Sequence, residues 1–190
     1  NHLLEEHRTQ LHGGDSQDRI DREPAAERNV SLLSSLIAPV VTEKRLEFRS
    51  RLGIGIDAQM DALSYGHFAA VQPAEFKRLL SNLIQNAVEA IQTRGSVRVK
   101  LAREGDRILL TVEDTGKGIP PEVLGRLGRR GETSGKLGGS GLGLYHAKTC
   151  VEAWGGALEI RSEVGKGTTV VGKLPAAPPP AWFVSELKLL

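Results

Sequence analysis

The sequence predicts an α+β sandwich rather than a doubly wound sheet, on three observations. Helical and strand-like patterns interleave without the regular strand–helix alternation that parallel sheets require. Two pairs of adjacent strand-like runs, 97–102 with 107–113 and 157–162 with 168–174, lie close enough in sequence to be hairpins. One strongly amphipathic segment places Leu79, Leu80, Leu83, Ile84, Ala87, Val88 and Ile91 on a single stripe, as a helix covering a sheet does.

Each element follows in chain order. Residues 1–23 are polar, rich in His, Arg, Glu and Asp, and broken by Gly13 and Gly14, as at a frayed helix end followed by a loop. From about 26 to 44, Val30, Leu33, Ile37, Val40 and Val41 recur at helical spacing, with Pro39 as a potential kink. Residues 46–52 alternate as a half-buried strand does. Gly53 and Gly55 then open a loop, with one short strand, that reaches Val71. Pro73 suits the first turn of a helix running to about 92. Glu104, Gly105 and Asp106 supply the turn of the first hairpin. Residues 119–141 hold many glycines and cations and little apolar periodicity, so they read as a long mobile loop of the kind usually kept for function. A helix from 142 to about 154 stops at Gly155 and Gly156. Pro175 and Pro178 to Pro180 read as a stiff linker, and 181–190 as the start of another element. No internal repeat is visible.

Composition narrows the function classes. A chain of 190 residues suits one domain with flanking segments, and 39% hydrophobic with 25% charged residues is ordinary for a soluble globular protein. A net charge of +2 with scattered Lys and Arg argues against a nucleic-acid surface. The single cysteine, Cys150, excludes an intrachain disulfide, suits a reducing cytoplasm and reads as an inert core thiol. No apolar run approaches the ~20 residues that span a bilayer, so no membrane contact is expected of this stretch. The start at Asn1 suggests a piece of a longer protein.

Four motifs carry the chemistry. Asn82 and Asn86 stand four apart on the amphipathic helix and therefore share a face, where Mg²⁺ with its waters and a nucleotide's phosphates would give their amides partners. Asp114, Gly116 and Gly118 follow a strand; Gly139, Gly141 and Gly143 open a helix; Gly165, Gly167 and Thr168 sit in the last hairpin. Known phosphate loops do not fit. The stretch from Gly131 to Leu137 has three residues between its glycines and Leu after Lys136, which is not a P-loop, and 139–143 lacks both the Rossmann spacing and a preceding strand. An amide oxygen is a hard ligand suited to Mg²⁺. An ionised Asp114 accepts hydrogen bonds but cannot donate them. Gly116 and Gly118 let the backbone be approached closely. The amides before the second helix, and its positive end, suit phosphate.

In this order the four motifs resemble the N, G1, G2 and G3 boxes of the ATP-binding catalytic domain of bacterial sensor histidine kinases, in the superfamily that also holds gyrase, Hsp90 and MutL. The resemblance covers roughly residues 27 to 174. It implies the Bergerat fold, a two-layer α/β sandwich whose mixed sheet is covered on one face by helices, with 1–25 as the end of a dimerisation and phosphoacceptor helix plus linker, 26–174 as the catalytic domain, and 175–190 as linker and further element. It implies ATP and Mg²⁺ as ligands. Asn82 and Asn86 become the catalytic pair, with Asn86 the metal ligand, and Asp114, Gly116, Gly118, Lys136, Gly139, Gly141, Leu142, Gly143 and Thr168 join them in binding ATP.

The residues from about Leu124 to Ser140 would be the family's ATP lid, with Arg129 and Arg130 beside Lys136 as phosphate-holding candidates. The lid phenylalanine of many kinases is replaced here by Leu124, Leu127 and their neighbours, and Glu89 stands where a lysine is common. ATP-hydrolysing relatives place a glutamate where this chain has Asn82, which cannot take a proton from water. The implied activity is therefore transfer of the γ-phosphoryl to a histidine, with slow hydrolysis. The acceptor would lie mostly upstream, in the same or a partner subunit of a cytoplasmic homodimer, and a response regulator's receiver domain would be the next partner. His2, His7 and His12 lack the acidic residue usual after the acceptor, so autophosphorylation is not expected of this stretch alone. An anti-sigma-type serine/threonine kinase and a nucleotide-sensing pseudokinase are the alternatives.

Overall fold

The computed structural model describes residues 28–125 and 142–183. The first element is a short strand, β1 (Asn29–Leu32), followed without a break by helix α1 (Leu33–Glu47). The helix expected from residue 26 therefore starts later: Val30 lies exposed in β1, which pairs antiparallel with β3 (Phe68–Val71). The strand expected at 46–52 is the last turn of α1 and a following turn, with Leu46 and Leu52 both exposed. The helix continues because Lys44 bonds Glu47 one turn on (2.6 Å) and Gln85 across the helix pair (3.1 Å). Pro39 sits inside α1 without ending it.

Strand β2 (Ile54–Gln59), a 3-10 turn (Ala62–Gly66) and β3 lead into α2 (Pro73–Ala90). The hairpin of β4 (Gly95–Glu104) and β5 (Arg107–Asp114) comes next, then the single turn α3 (Pro121–Leu124). Helix α4 (Leu142–Ala153) and the hairpin of β6 (Ala157–Glu163) and β7 (Gly167–Pro175) complete the described elements. Among the described residues the main sheet has five strands in the order β2-β4-β5-β7-β6, with β2 and β4 parallel and the other pairs antiparallel.

Alternation puts Val97, Val99 and Leu101 of β4, with Ile108, Leu110 and Val112 of β5, on one buried face. There they join Ile37, Val40 and Val41 of α1, the α2 stripe, and Ala147 and Val151 of α4 in one core. This is the expected two-layer sandwich with helices on one face. Phe76 and Trp154, with ring centroids 6.3 Å apart, tie α2 to the end of α4.

The tail does not lead straight away from the domain as a stiff linker would. Pro175 closes β7, Ala177 donates its N–H to Phe68 O (2.7 Å), and Trp182 and Phe183 stack edge-on to the buried Phe68 ring. A buried aromatic at a sheet edge gives the tail an apolar surface that no linker pattern discloses. Among the described residues, no helix is long and apolar enough to cross a membrane.

Candidate functional site

Helix α2 buries Leu79, Leu80, Leu83, Ile84, Ala87 and Val88 against the sheet. Asn82 is half-buried and Asn86 exposed, so the pair lies at the edge of that stripe and its amides face no burial penalty that ligands must relieve. The face matters for what meets it. A β-carbon at Gly143, in the first turn of α4, would stand 3.6 Å from Asn82 Cβ and 3.8 Å from Asn86 Nδ2. One turn further along the same face, Ala90 receives Gly116, where a β-carbon would fall 2.7 Å from the Ala90 backbone. Asn82, Asn86 and Ala90 thus form a row, closed at one end by α4 and at the other by the loop after β5.

That loop is pinned on both sides. Lys117 donates its N–H to Ala90 O (3.0 Å), and its carbonyl accepts from Gly165 N (2.8 Å). Gly118, at φ +69°, leaves no room for a side chain, since a β-carbon would lie 2.1 Å from Glu163 O. Gly167, at φ +125°, is as tight: its β-carbon would meet Asp114 O at 1.9 Å. The register places Asp114 opposite Thr168 at the ends of β5 and β7.

The Asp114 carboxylate is 7% exposed and accepts the N–H of Gly116 at 2.7 Å. Burial pushes its pKa above the ordinary aspartate range, against the lowering effect of backbone N–H groups from Gly116 and Thr168. Beside it, one hydroxyl network has a fixed polarity. Ser162 Oγ donates its single proton to Gly167 O (2.9 Å) and accepts the N–H of Ile119 (2.8 Å). The 2.9 Å contact between Ser162 Oγ and Thr168 Oγ1 must then be donated by Thr168, which leaves the Thr168 oxygen as an acceptor. Two acceptors, Asp114 and Thr168, therefore sit together, each nearly buried.

Leu142 opens α4 and is described in its backbone alone; Gly143 follows it. Arg129, Arg130, Lys136, Gly139 and Gly141 lie outside the described residues.

The family model of histidine kinase-, DNA gyrase B- and HSP90-like ATPases matches residues 71–178, from the end of β3 through the tail bridge. The chain belongs to this family. The matched region holds every motif residue named above, in an ATP-binding domain. Over 178 residues the chain is 35% identical to the sensor histidine kinase AruS of Pseudomonas aeruginosa, a match covering 83% of this chain and 17% of that protein. It is 32% identical to the sensor histidine kinase RppB of Synechocystis sp., over 83% of this chain and 35% of that one. The chain thus spans well under half the length of these relatives. The solved structure of a mycobacterial sensor histidine kinase, MprB, superposes with a TM-score of 0.67 at 25% identity, covering 80% of this chain and 99% of that one.

Two features of this ATPase-family domain escape the sequence. Ser162 organises the polar cluster around Thr168 and the loop after β5, but a serine in a strand carries no signal until the register brings it to Thr168 and Ile119. His146 and Cys150 stand four apart on α4, and Glu75 lies 71 residues before His146; the helix packing puts His146 Nε2 2.5 Å from Glu75 Oε2. Cys150 is half-buried at this cluster rather than an isolated core thiol.

Proposed function

We propose that this chain is the ATP-binding catalytic part of a two-component sensor histidine kinase. It holds Mg²⁺·ATP between the Asn82–Asn86 face of α2 and the floor formed by Asp114 and Thr168. The γ-phosphoryl passes to a histidine on a phosphoacceptor domain of the same or the partner subunit, and then to a response regulator's receiver domain. The full protein acts as a homodimer at the cytoplasmic side, with 1–25 contributing the end of the acceptor hairpin.

The observation that carries this reading is the buried Asp114 carboxylate beside an acceptor-only Thr168 oxygen. One carboxylate oxygen is occupied by Gly116 N–H. What remains calls for a donor, and an exocyclic amine flanked by a water is such a donor. Guanine would bring an oxygen to the same place and leave acceptors facing one another.

Asn86 fits Mg²⁺: its amide is exposed, lies on the face that α4 approaches, and offers a neutral hard oxygen while the phosphates supply the charge. When bound, the metal neutralises charge on the phosphates. Asn82 lines the same face and cannot activate water, so the site favours a positioned acceptor over hydrolysis. Gly143 keeps the start of α4 free of side chain where its amides face the phosphates, with Gly139, Gly141 and Lys136 completing the lid.

Calorimetric titration of ATP with and without Mg²⁺ tests the site. Asp114→Ala is expected to abolish binding in both conditions, whereas Asn86→Ala weakens chiefly the Mg²⁺-dependent part. Unchanged affinity in the Asp114 variant would sink the assignment. Transfer is tested by mixing labelled ATP, this chain and a separate phosphoacceptor domain. An acid-labile, base-stable label marks phosphohistidine, and an acid-stable label on serine or threonine supports the anti-sigma-type alternative.

A further inference from the structure

Glu75 in the first turn of α2, with His146 and Cys150 on successive turns of α4, brings a carboxylate, an imidazole and a thiol within 4.8 Å of one another. We propose that these three side chains form a binding site for a borderline divalent cation of the Zn²⁺ type, bridging α2 and α4. The site does not rest on the nucleotide reading: its donors are nitrogen and sulfur as well as oxygen, whereas Mg²⁺ takes oxygen.

Three observations carry it. The donor set is that of zinc proteins, with three protein ligands and a fourth position open to water. Two of the ligands stand at i and i+4 on one helix face, a spacing that lets one ion reach both. The distances also fit. Tetrahedral bonds of about 2.0–2.3 Å put donor atoms roughly 3.3–3.6 Å apart. Cys150 Sγ lies 3.4 Å from His146 Nε2 and 3.9 Å from Glu75 Oε2. Only the Glu75–His146 pair, at 2.5 Å, must open, by under an ångström, as an ion replaces the shared hydrogen.

The ring has one nitrogen to offer, since Nδ1 is buried, without a partner among the described residues, while Nε2 faces the other two ligands. Access is open: the Glu75 side chain is 34% exposed and that of His146 20%. Arg78, the nearby cation, sits at 4.0 Å from Glu75 and is itself 66% exposed, free to turn to solvent. Binding converts the Cys150 thiol to a metal thiolate and releases its proton, together with any proton held between Glu75 and His146, to water. Burial and the neighbouring Glu75 hold the thiol up at about 11, so it is this proton that metal binding must displace. Because His146 is one turn past Gly143, an ion here would pin the start of α4 to α2.

The test is titration of the whole chain, reduced and free of nucleotide, with Co²⁺ as the probe. A thiolate-to-cobalt charge-transfer band saturating at one equivalent, bleached by Zn²⁺, is expected. Cys150 is the chain's single cysteine, so no other residue, His2, His7 and His12 included, can produce that band. Glu75→Gln and His146→Gln should each weaken cobalt binding by at least about tenfold, judged against the 10–100-fold that even outer-shell partners contribute. In the unaltered chain Zn²⁺ should also raise the melting temperature, which needs no variant to fold. Absence of the band, a band indifferent to both substitutions, or no thermal shift overturns the proposal.

Discussion

Replacing Asp114 by Asn separates the stability of the polar cluster at the ends of β5 and β7 from the proposed recognition of the base. In the empty protein the carboxylate is nearly buried, with one oxygen 2.7 Å from Gly116 N. Burial raises its pKa more than the backbone donors lower it, so the fold favours the neutral form. An acid raised in this way contributes stability that is complete below the unfolded aspartate pKa and is lost as pH climbs through the folded value. Above that folded value the wild type has lost the contribution. Asn carries no charge but keeps one acceptor for two backbone donors, Gly116 and Thr168, so above that folded value Asp114→Asn should melt higher by as much as the relieved desolvation exceeds the lost bond. The gain should be no more than about 4 °C, because ~1 kcal/mol corresponds to roughly 2–4 °C in a domain of this size. The gap between variant and wild type should close as the pH falls below the unfolded aspartate value.

Nucleotide affinity should move the other way. With its oxygen held by Gly116, Asn presents an amide donor to a donor amine. Losing a charge-assisted hydrogen bond of about 1.5–3 kcal/mol weakens ATP by roughly 10- to 150-fold, at ~1.4 kcal/mol per decade. Thermal melts across pH and calorimetric ATP titrations read the two effects separately. A lower melting temperature together with weaker binding would refute the reasoning, since Asp114 would then be a structural residue whose loss damages the pocket indirectly.

The remaining predictions concern packing and the pocket's supports. Gly167→Ala should cost about 3 kcal/mol or more by urea denaturation, because its β-carbon would lie 1.9 Å from Asp114 O. Gly165→Ala, at φ +81° with nothing within 4 Å, should cost only the ~1–2 kcal/mol of a left-handed residue. Phe76→Ala, fully buried against Trp154, should lose about 3–5 kcal/mol in the same assay. Ser162→Ala leaves the Ile119 N–H without its 2.8 Å acceptor and frees Thr168, so stability should fall by ~1–3 kcal/mol and ATP affinity should drop with it.

The amphipathic stripe of α2 with its asparagine pair, both hairpins and the three glycine-marked motifs were legible from residue order alone, because each is set by local periodicity or turn chemistry. Local pattern misled where tertiary partners decide. Residues 29–32 have apolar spacing compatible with a helix, yet β3 offers a ladder and takes them as a strand. Residues 46–52 alternate like a strand but have no strand to pair with, and α1 runs on through Lys44 and its bonds to Glu47 and Gln85.

By itself, then, the sequence determined the sandwich, the order of its motifs and the identity of the groups proposed to meet a nucleotide, since these depend on residue type and on spacing within one element. Only the tertiary structure decided which of those groups meet. Gly143 lies over Asn82 and Asn86, Gly116 lies on Ala90, and Ser162 turns the Thr168 oxygen into an acceptor. It also brought Glu75 to His146 and Cys150. Contacts between elements are set by strand register and helix packing across dozens of residues, and no short window of sequence holds that information.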